Sequence, residues 1–446
     1  MKNILTSYDP GTGERIGEVK ISTPDQIRKK VTLAHGAAPA WRNLGLNGRL
    51  ALLEKAWAGA EPHIPELAEL ISREMGKDIQ RSSGEASGSV HGGSYIAKEA
   101  WDALQSKSVG GRTTIEYKPL GVAAVISPWN YPLAMANNLI VPALMAGNPV
   151  VFKPSEETPL VADLFVEILN RVLPQHVLQV VHGTAEQGRA LVEDRVNLIA
   201  FTGSQAVGKE IMARAASQVK RLVMELGGND PMIVLSDADI GSAAGFAVAS
   251  AFENAGQMCT STERIYVDEQ IADQFEAQVT AIASRYKTGP WNMQGVNIGP
   301  IVNKKQHAMI IHHIRDAETK GARVLLGGSD QTAPYIQPTV IADMTPDMTM
   351  EQDETFGPVV AIGKFKTVDE AVERANDSPY GLGAVVFGQK QAQAVAEQLE
   401  AGMIGINQGV GGGGNAPWVG AKQSGFGFHG SPDGHRQFAQ VRVISS

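Results

Sequence analysis

The chain contains a single cysteine, Cys259, in the stretch "NAGQMCTSTERIYV". A lone thiol is either a small buried hydrophobe or a nucleophile, and residue type alone favours the first. Upstream, "VMELGGND" puts Glu225 at an apolar strand end, just before the Gly227-Gly228 pair and 34 residues from Cys259. A carboxylate there is costly to bury unless paired or protonated, which makes it a candidate general base; a solvated strand-end acid is the plain alternative. "SPWNYP" holds Asn130 between Pro128 and Pro132 on a stiff turn. Its amide is a candidate oxyanion donor and equally a simple turn former. All ten histidines are remote in sequence from these three residues, so the pattern points to a carboxylate base and away from Cys–His hydrolysis. Clustered Cys/His ligands are missing and no metal is expected. A Cys259 thiolate is expected to be stabilised by backbone N–H groups of the irregular turn around it.

Two further turns suit a nucleotide. "FTGSQAVGKE" places Gly203 and Gly208 where a strand becomes a helix, so that outward N–H groups and the helix dipole favour a phosphate. The spacing is not the usual dinucleotide fingerprint, and a tight turn alone explains it as well. "FKPSEETP" sets Lys153 and Glu156 beyond the carboxyl end of a strand, where open α/β sheets bind ligands. A carboxylate there accepts from both hydroxyls of an adenosine ribose and repels a 2′-phosphate; two ordinary surface charges are the alternative.

The elements that must position these residues read as follows. From about Gly121, short apolar runs ("GVAAVISPW", "PVVFKPS", "VLQVVHG", "NLIAFTGS") alternate with amphipathic helices, which predicts parallel strands joined by right-handed crossovers. Thr158 is the expected N-cap of a helix over Pro159 to Leu173. A second α/β set follows Gly228, including a helix from Asp239 to about Asn254. The first hundred residues read as helices over Thr23–Ala37, Asn47–Met75 and Gly84–Leu104. The alternating segments Arg112–Leu120 and Arg436–Ile444 belong to no βα unit; they pair with each other or extend another subunit's sheet. With 446 residues, two or three domains are expected.

Hydrophobic content of 43% with 19% charged residues is ordinary for a soluble protein, and a net charge of −8 argues against a nucleic-acid surface. The N-terminus carries no apolar run of the signal-peptide kind, and the stretch Val141 to Phe152 is broken by Gly147, Asn148 and Pro149, so no membrane span is expected. One cysteine excludes an intrachain disulfide and fits a reducing, cytoplasmic setting.

In order, "SPWNYP", "FKPSEETP", "FTGSQAVG", "ELGGND", "NAGQMCTSTERIYV", "QDETFGPVV", "YGLGAVVF" and "GAKQSGFG" resemble the motifs of NAD(P)-dependent aldehyde dehydrogenases, over essentially the whole chain. The resemblance implies a two-lobed α/β fold. A Rossmann-like NAD-binding domain would take 1–107 and 121–227, a catalytic domain 228–430, and a small β oligomerisation element 108–120 with 431–446. It implies Cys259 as the nucleophile, Asn130 and the Cys259 N–H as the oxyanion hole, and Glu225 as the base that hydrolyses a thioester. The cofactor set it implies is Ser127 and Trp129; Lys153, Ser155 and Glu156; Gly183 and Gly188; Phe201, Thr202, Gly203, Ser204 and Val207; Leu226 and Gly227; and Glu354 with Phe356. NAD is expected over NADP because of Glu156. Partners would be a small aldehyde and further copies of the chain, as a dimer or tetramer.

The chain departs from the family where a lysine is common after the "PWN" turn; Asn138 and Leu139 stand there instead, and a water chain to Glu225 is expected to carry protons. The glycine patch Gly409–Gly414 replaces a loop that often supplies an aromatic, and Trp418 replaces a commoner Phe. A wide tunnel mouth is expected, walled by Tyr131, Met135, Met258 and Trp418. Arg436 and Arg264 are the candidate cations for a carboxylate-bearing aldehyde, Arg264 at a position that is structural in the family. Hydrolytic aldehyde oxidation competes with CoA acylation on the same fold, against which Glu225 argues, and with a non-catalytic role, against which the intact Cys259, Glu225 and Asn130 argue.

Overall fold

The structure, a computed structural model, describes residues 3–411, 413 and 415–446. Gly412 and Gly414 of the glycine patch lie outside the described residues. Two sheets carry the fold. The first has six strands in the order Gly425–Phe426, Arg221–Glu225, Leu198–Thr202, Ala123–Ile126, Val150–Lys153 and Leu178–Val180. All neighbours are parallel except the first pair. In chain order the sheet starts at its middle, at Ala123–Ile126, runs outward to Leu178–Val180, then returns to the other side through Leu198–Thr202. That reversal opens a crevice at the carboxyl ends of the strands, the place where doubly wound sheets bind ligands. Ile126, Lys153 and Thr202 end their strands there, which puts the Asn130, Glu156 and Gly203 turns side by side.

Burial explains why these strands read as continuous apolar runs. Every residue of Ala123–Ile126, Val150–Lys153 and Leu198–Thr202 is buried, with helices on both faces. The second sheet has seven strands, in the order Arg323–Leu326, Thr339–Ala342, Val359–Phe365, Thr262–Asp268, Asp230–Val234, Gly383–Phe387 and Met403–Ile406. Only its first pair is antiparallel. The two segments outside any βα unit pair with each other: Ala439–Ser445 runs antiparallel to Thr113–Pro119, with Lys107–Ser108 on the far side.

Three local expectations change. The region Asn47–Met75 is two helices, Gly45–Ala58 and Ile64–Met75, because Gly59 and Pro62 interrupt it. The first helix runs through Pro39 to Asn43, held by buried Trp41, whose Nε1 donates to Leu144 O. Thr158 is not a side-chain cap; its buried hydroxyl finds no partner. The carboxylate of Glu74, from the helix Ile64–Met75, accepts from Leu160 and Val161 N–H at 2.9 and 2.8 Å and closes that helix start instead. Asp239 does cap as its residue type predicts, accepting from Ser242 N at 2.7 Å.

Candidate active site

Cys259 stands on the turn between the helix Ile240–Phe252 and the strand Thr262–Asp268. The approach is backbone-strained: Asn254, Ala255 and Gly256 all have positive φ, at 52, 58 and 71°. A Cβ on Gly256 would lie 2.0 Å from the Gly357 carbonyl, so only glycine fits. Side-chain amides hold the strain in place. Asn254 Nδ2 donates to Asn130 O at 3.1 Å and to Gln257 O at 3.2 Å, and Asn130 Nδ2 donates to Gln257 O at 3.0 Å. The turn carrying Asn130 and the turn carrying Cys259 are thus latched together, although 129 positions separate them in sequence. Asn130 keeps a second amide N–H directed by this latch.

Glu225 Oε1 lies 3.6 Å from Cys259 Sγ, within reach of the thiol proton. Glu225 is only 4% exposed and its oxygens are enclosed by donors. Trp418 Nε1–H donates to Oε1 at 2.8 Å, Thr202 Oγ1 donates to Oε2 at 3.3 Å, and His429 Nε2 stands 2.8 Å from Oε2. The antiparallel pairing of Gly425 with Glu225 brings the 418–429 segment here, and Trp418 N bonds His429 O at 2.9 Å. Two expectations are corrected. Trp418, expected as an apolar wall, is a polar partner of the carboxylate. A histidine does reach the site, 204 positions from Glu225, because strand pairing and not sequence proximity delivers it.

The thiol is a third correction. Burial pushes the Cys259 pKa well above its ordinary value, and the negative charges of Glu225, Asp230 and Glu354 add to this, so the resting residue is a thiol. The acids beneath it are themselves pushed up by burial: Asp230 to about 7, Glu263 to about 8, and Glu354 well above the carboxylate range.

The cofactor candidates gather at the crevice. A Cβ on Gly203 would meet the Phe201 ring at 2.5 Å and one on Gly208 would meet Leu226 at 2.6 Å, so the strand and helix are in close contact there. Ser204 makes no side-chain cap to the helix Gln205–Ala216, and its first turn carries Val207, 43% exposed. Lys153 is buried with Nζ 3.3 Å from Glu156 Oε2; burial lowers the lysine and the Glu156 charge opposes this. Gly188 passes close by Lys153, Gly183 packs on Gln187 with φ 144°, and Ser155 Oγ accepts from Glu157 N. Ser127 Oγ and Gln205 Nε2 are buried without a partner. Trp129 and Phe356 meet edge to face, with ring centroids 5.6 Å apart. Phe356 has φ 54°, held by Glu263, which accepts its N–H at 2.8 Å. Glu354 accepts from Gly228 N at 3.0 Å, and a Cβ on Gly227 would strike it.

Beside Cys259, Tyr131 Oη donates to Glu253 Oε1 at 3.1 Å and lies 3.9 Å from Met258 Sδ. Met135 is half-buried on the first turn of the helix Pro132–Met145. Lys77 stacks on the Tyr131 ring and pairs with Glu85; Arg81 forks onto Glu253 and pairs with Asp78. Neither cation candidate from the sequence is here. Arg264 is buried against the carbonyls of Asn229, Arg374 and Ala375, and Arg436 bonds Ala103 O and Asp433 over the Tyr117 ring. Leu139 is buried in the hydrophobic core.

Residues 2–444 match the model of the aldehyde dehydrogenase family. The chain is 34% identical to a glutarate-semialdehyde dehydrogenase of Pseudomonas putida over 445 residues, covering 98% of this chain and 93% of that protein. It is also 34% identical to an NADP(+) succinate-semialdehyde dehydrogenase of Escherichia coli, covering 98% and 93%. A solved succinate-semialdehyde dehydrogenase from Burkholderia pseudomallei superposes with a TM-score of 0.95 at 34% identity, covering 99% of this chain and 94% of that one. The family that the motifs resemble is the family found, and the α/β architecture with a Rossmann-like sheet agrees with its solved members: the chain belongs to the aldehyde dehydrogenase family.

Proposed function

We propose that the protein oxidises an aldehyde to the carboxylic acid with NAD as hydride acceptor, through a thioester on Cys259. The observation that carries this is Glu225 Oε1 at 3.6 Å from the sole thiol, with the Asn130 amide latched to the same turn. Glu225 takes the thiol proton as sulfur adds to the aldehyde carbon. Asn130 and the Cys259 N–H stabilise the oxygen as it gains charge. A bound nicotinamide dinucleotide would accept hydride from that carbon, which stays on sulfur as a thioester of Cys259. Glu225 passes the thiol proton to solvent, then draws a second proton from water as the water oxygen adds to the thioester carbon; the C–S bond breaks, the acid departs and that second proton goes to sulfur.

The residues around the crevice suit the cofactor. The open helix start at Ser204, the exposed Val207, the unpartnered Ser127 hydroxyl and the Trp129–Phe356 pair provide polar and apolar contacts of the right kinds. Glu156 at a strand end favours NAD, since its carboxylate suits ribose hydroxyls and opposes a 2′-phosphate. The E. coli relative is named for NADP(+), which makes this a point to measure. Glu156→Ser is expected to tighten NADPH relative to NADH by at least about tenfold, one like-charge contact being worth roughly that factor. Fluorescence titration of the two reduced dinucleotides reads it directly, and unchanged ratios would refute the assignment.

The relatives named above act on semialdehydes that carry a second acid group. Here the two cations beside Tyr131, Lys77 and Arg81, are each taken by carboxylates. A substrate carboxylate would meet Glu253 and Asp78 as well as Arg81. The reading is therefore an aldehyde with an uncharged tail lying along Tyr131, Met135, Met258 and Trp418. In an NADH-absorbance panel, butanal is expected to exceed succinate semialdehyde in kcat/KM by about tenfold or more. The product is expected to be the acid whether or not CoA is present; a thioester product would overturn the hydrolytic reading.

The assigned units are 1–107 with 121–227 for the cofactor, 228–430 for the thiol, and 108–120 with 431–446 for assembly. Support for assembly is the edge strand Ala439–Ser445, which turns Val441, Val443 and Ile444 outward, Val443 at 60% exposure. A homodimer or tetramer follows. Among the described residues no helix is long and apolar enough to cross a membrane, and a lone cysteine that must stay reduced suits the cytoplasm.

A further inference from the structure

Among the described residues, Glu225 is the most heavily partnered carboxylate in the site. His429 Nε2 stands 2.8 Å from Oε2, with Thr202 Oγ1 on the same oxygen and Trp418 Nε1 on the other. Both side chains of the 418–429 segment that touch Glu225 are fixed to each other through the Trp418 N–His429 O bond, so the grip is rigid. His429 itself is buried. The groups facing it from neighbouring elements are few: Glu225 on the strand Arg221–Glu225, and His435 on the helix Ser431–Arg436, which in turn lies 3.7 Å from Glu99 of the helix Ile79–Ala103. Burial pushes His435 down to about 4. Cys259 lies beyond Glu225, on the other oxygen.

We infer that His429 is a positioning residue for the water-activating step: its ring fixes Oε2 of Glu225 so that Oε1 faces the thioester on Cys259. This rests on the proposed role of Glu225. The family position where a lysine is common holds buried Leu139, so the side chain that serves the base comes from the C-terminal segment instead. The contact at 2.8 Å leaves Oε2 little freedom to turn. A hydrogen-bonding amide in place of the ring keeps that aim, and an aliphatic side chain loses it.

The test uses p-nitrophenyl acetate on the intact protein, because its burst reports acylation of Cys259 and its linear phase reports hydrolysis, neither needing a cofactor. His429→Gln keeps an N–H donor, while His429→Leu removes it, with His429→Ala as a second such variant should the first not fold. Without the donor the burst is expected to survive within about twofold while the linear phase slows by about tenfold or more, and His429→Gln is expected to recover most of that loss. A linear phase as fast as that of the unaltered protein in a folded variant without the donor overturns the inference and leaves the hydrolytic reading standing. Loss of the burst in the unaltered protein, or a burst that survives Cys259→Ala, overturns both.

Discussion

Cys259→Ala is expected to leave a folded protein that forms no NADH from any aldehyde, with turnover lower by about 10⁴-fold or more, the loss usual when a covalent nucleophile is removed. The change deletes one sulfur from a half-buried turn, at a cost of roughly 1 kcal/mol, so a melting curve close to the original should accompany the lost activity. The chain has no other thiol to substitute. The raised Cys259 pKa adds a pH signature in the unaltered protein. Its thiol needs Glu225 to remove the proton, so alkylation by iodoacetamide should accelerate with rising pH well past the range of an ordinary thiol. An alanine variant that still turns over would end the thioester mechanism.

Glu225→Gln should separate the two halves of the reaction. One equivalent of NADH per active site is expected with aldehyde and NAD, formed more slowly than in the unaltered protein because the thiol has lost its base, followed by a steady rate lower by about 10²–10⁴-fold, the range that general-base removal usually costs. The surroundings tolerate the amide. One oxygen remains for Trp418 Nε1–H, and the new NH₂ meets His429, whose neutral ring offers an unprotonated Nε2 when the proton sits on Nδ1. Stopped-flow absorbance at the NADH band resolves burst from plateau. Mass spectrometry of the stalled protein should find the acyl group on the peptide that contains Cys259. Full steady-state turnover in this variant would remove Glu225 from the water-activating role.

The parts of the site that the sequence made legible are those coded locally. A strand that ends in Lys153 or Thr202 and turns into a helix announces itself through β-branched runs, prolines and glycines within ten residues, and the crevice follows from the parallel connections. Cys259 and Glu225 were recognisable because each lies in its own short motif. What stayed hidden depends on long-range pairing. His429 meets Glu225 only because Gly425 and Phe426 add an antiparallel strand beside Glu225 and Met224. Glu74 caps the helix after Thr158 from 86 positions away, so local capping rules chose the wrong residue. The direction of the Cys259 shift was misjudged for a related reason: Asp230 and Glu354 stand on separate elements, and their charges converge only in the fold. Trp418 looked like an apolar wall because its indole N–H has meaning only once an acceptor is known to face it.

The acids and burial that hold Cys259 in its thiol form also bear on how the protein survives idle time. Peroxides attack thiolates, and a sulfenic acid is rescued most simply by a neighbouring cysteine that captures it as a disulfide. This chain has no such neighbour. Oxidative damage at Cys259 would therefore run toward irreversible acids, and the molecule's defence is to keep the sulfur unreactive until Glu225 is asked to take its proton. With one cysteine in the chain, thiol titration of the denatured protein counts the molecules whose Cys259 is still reduced.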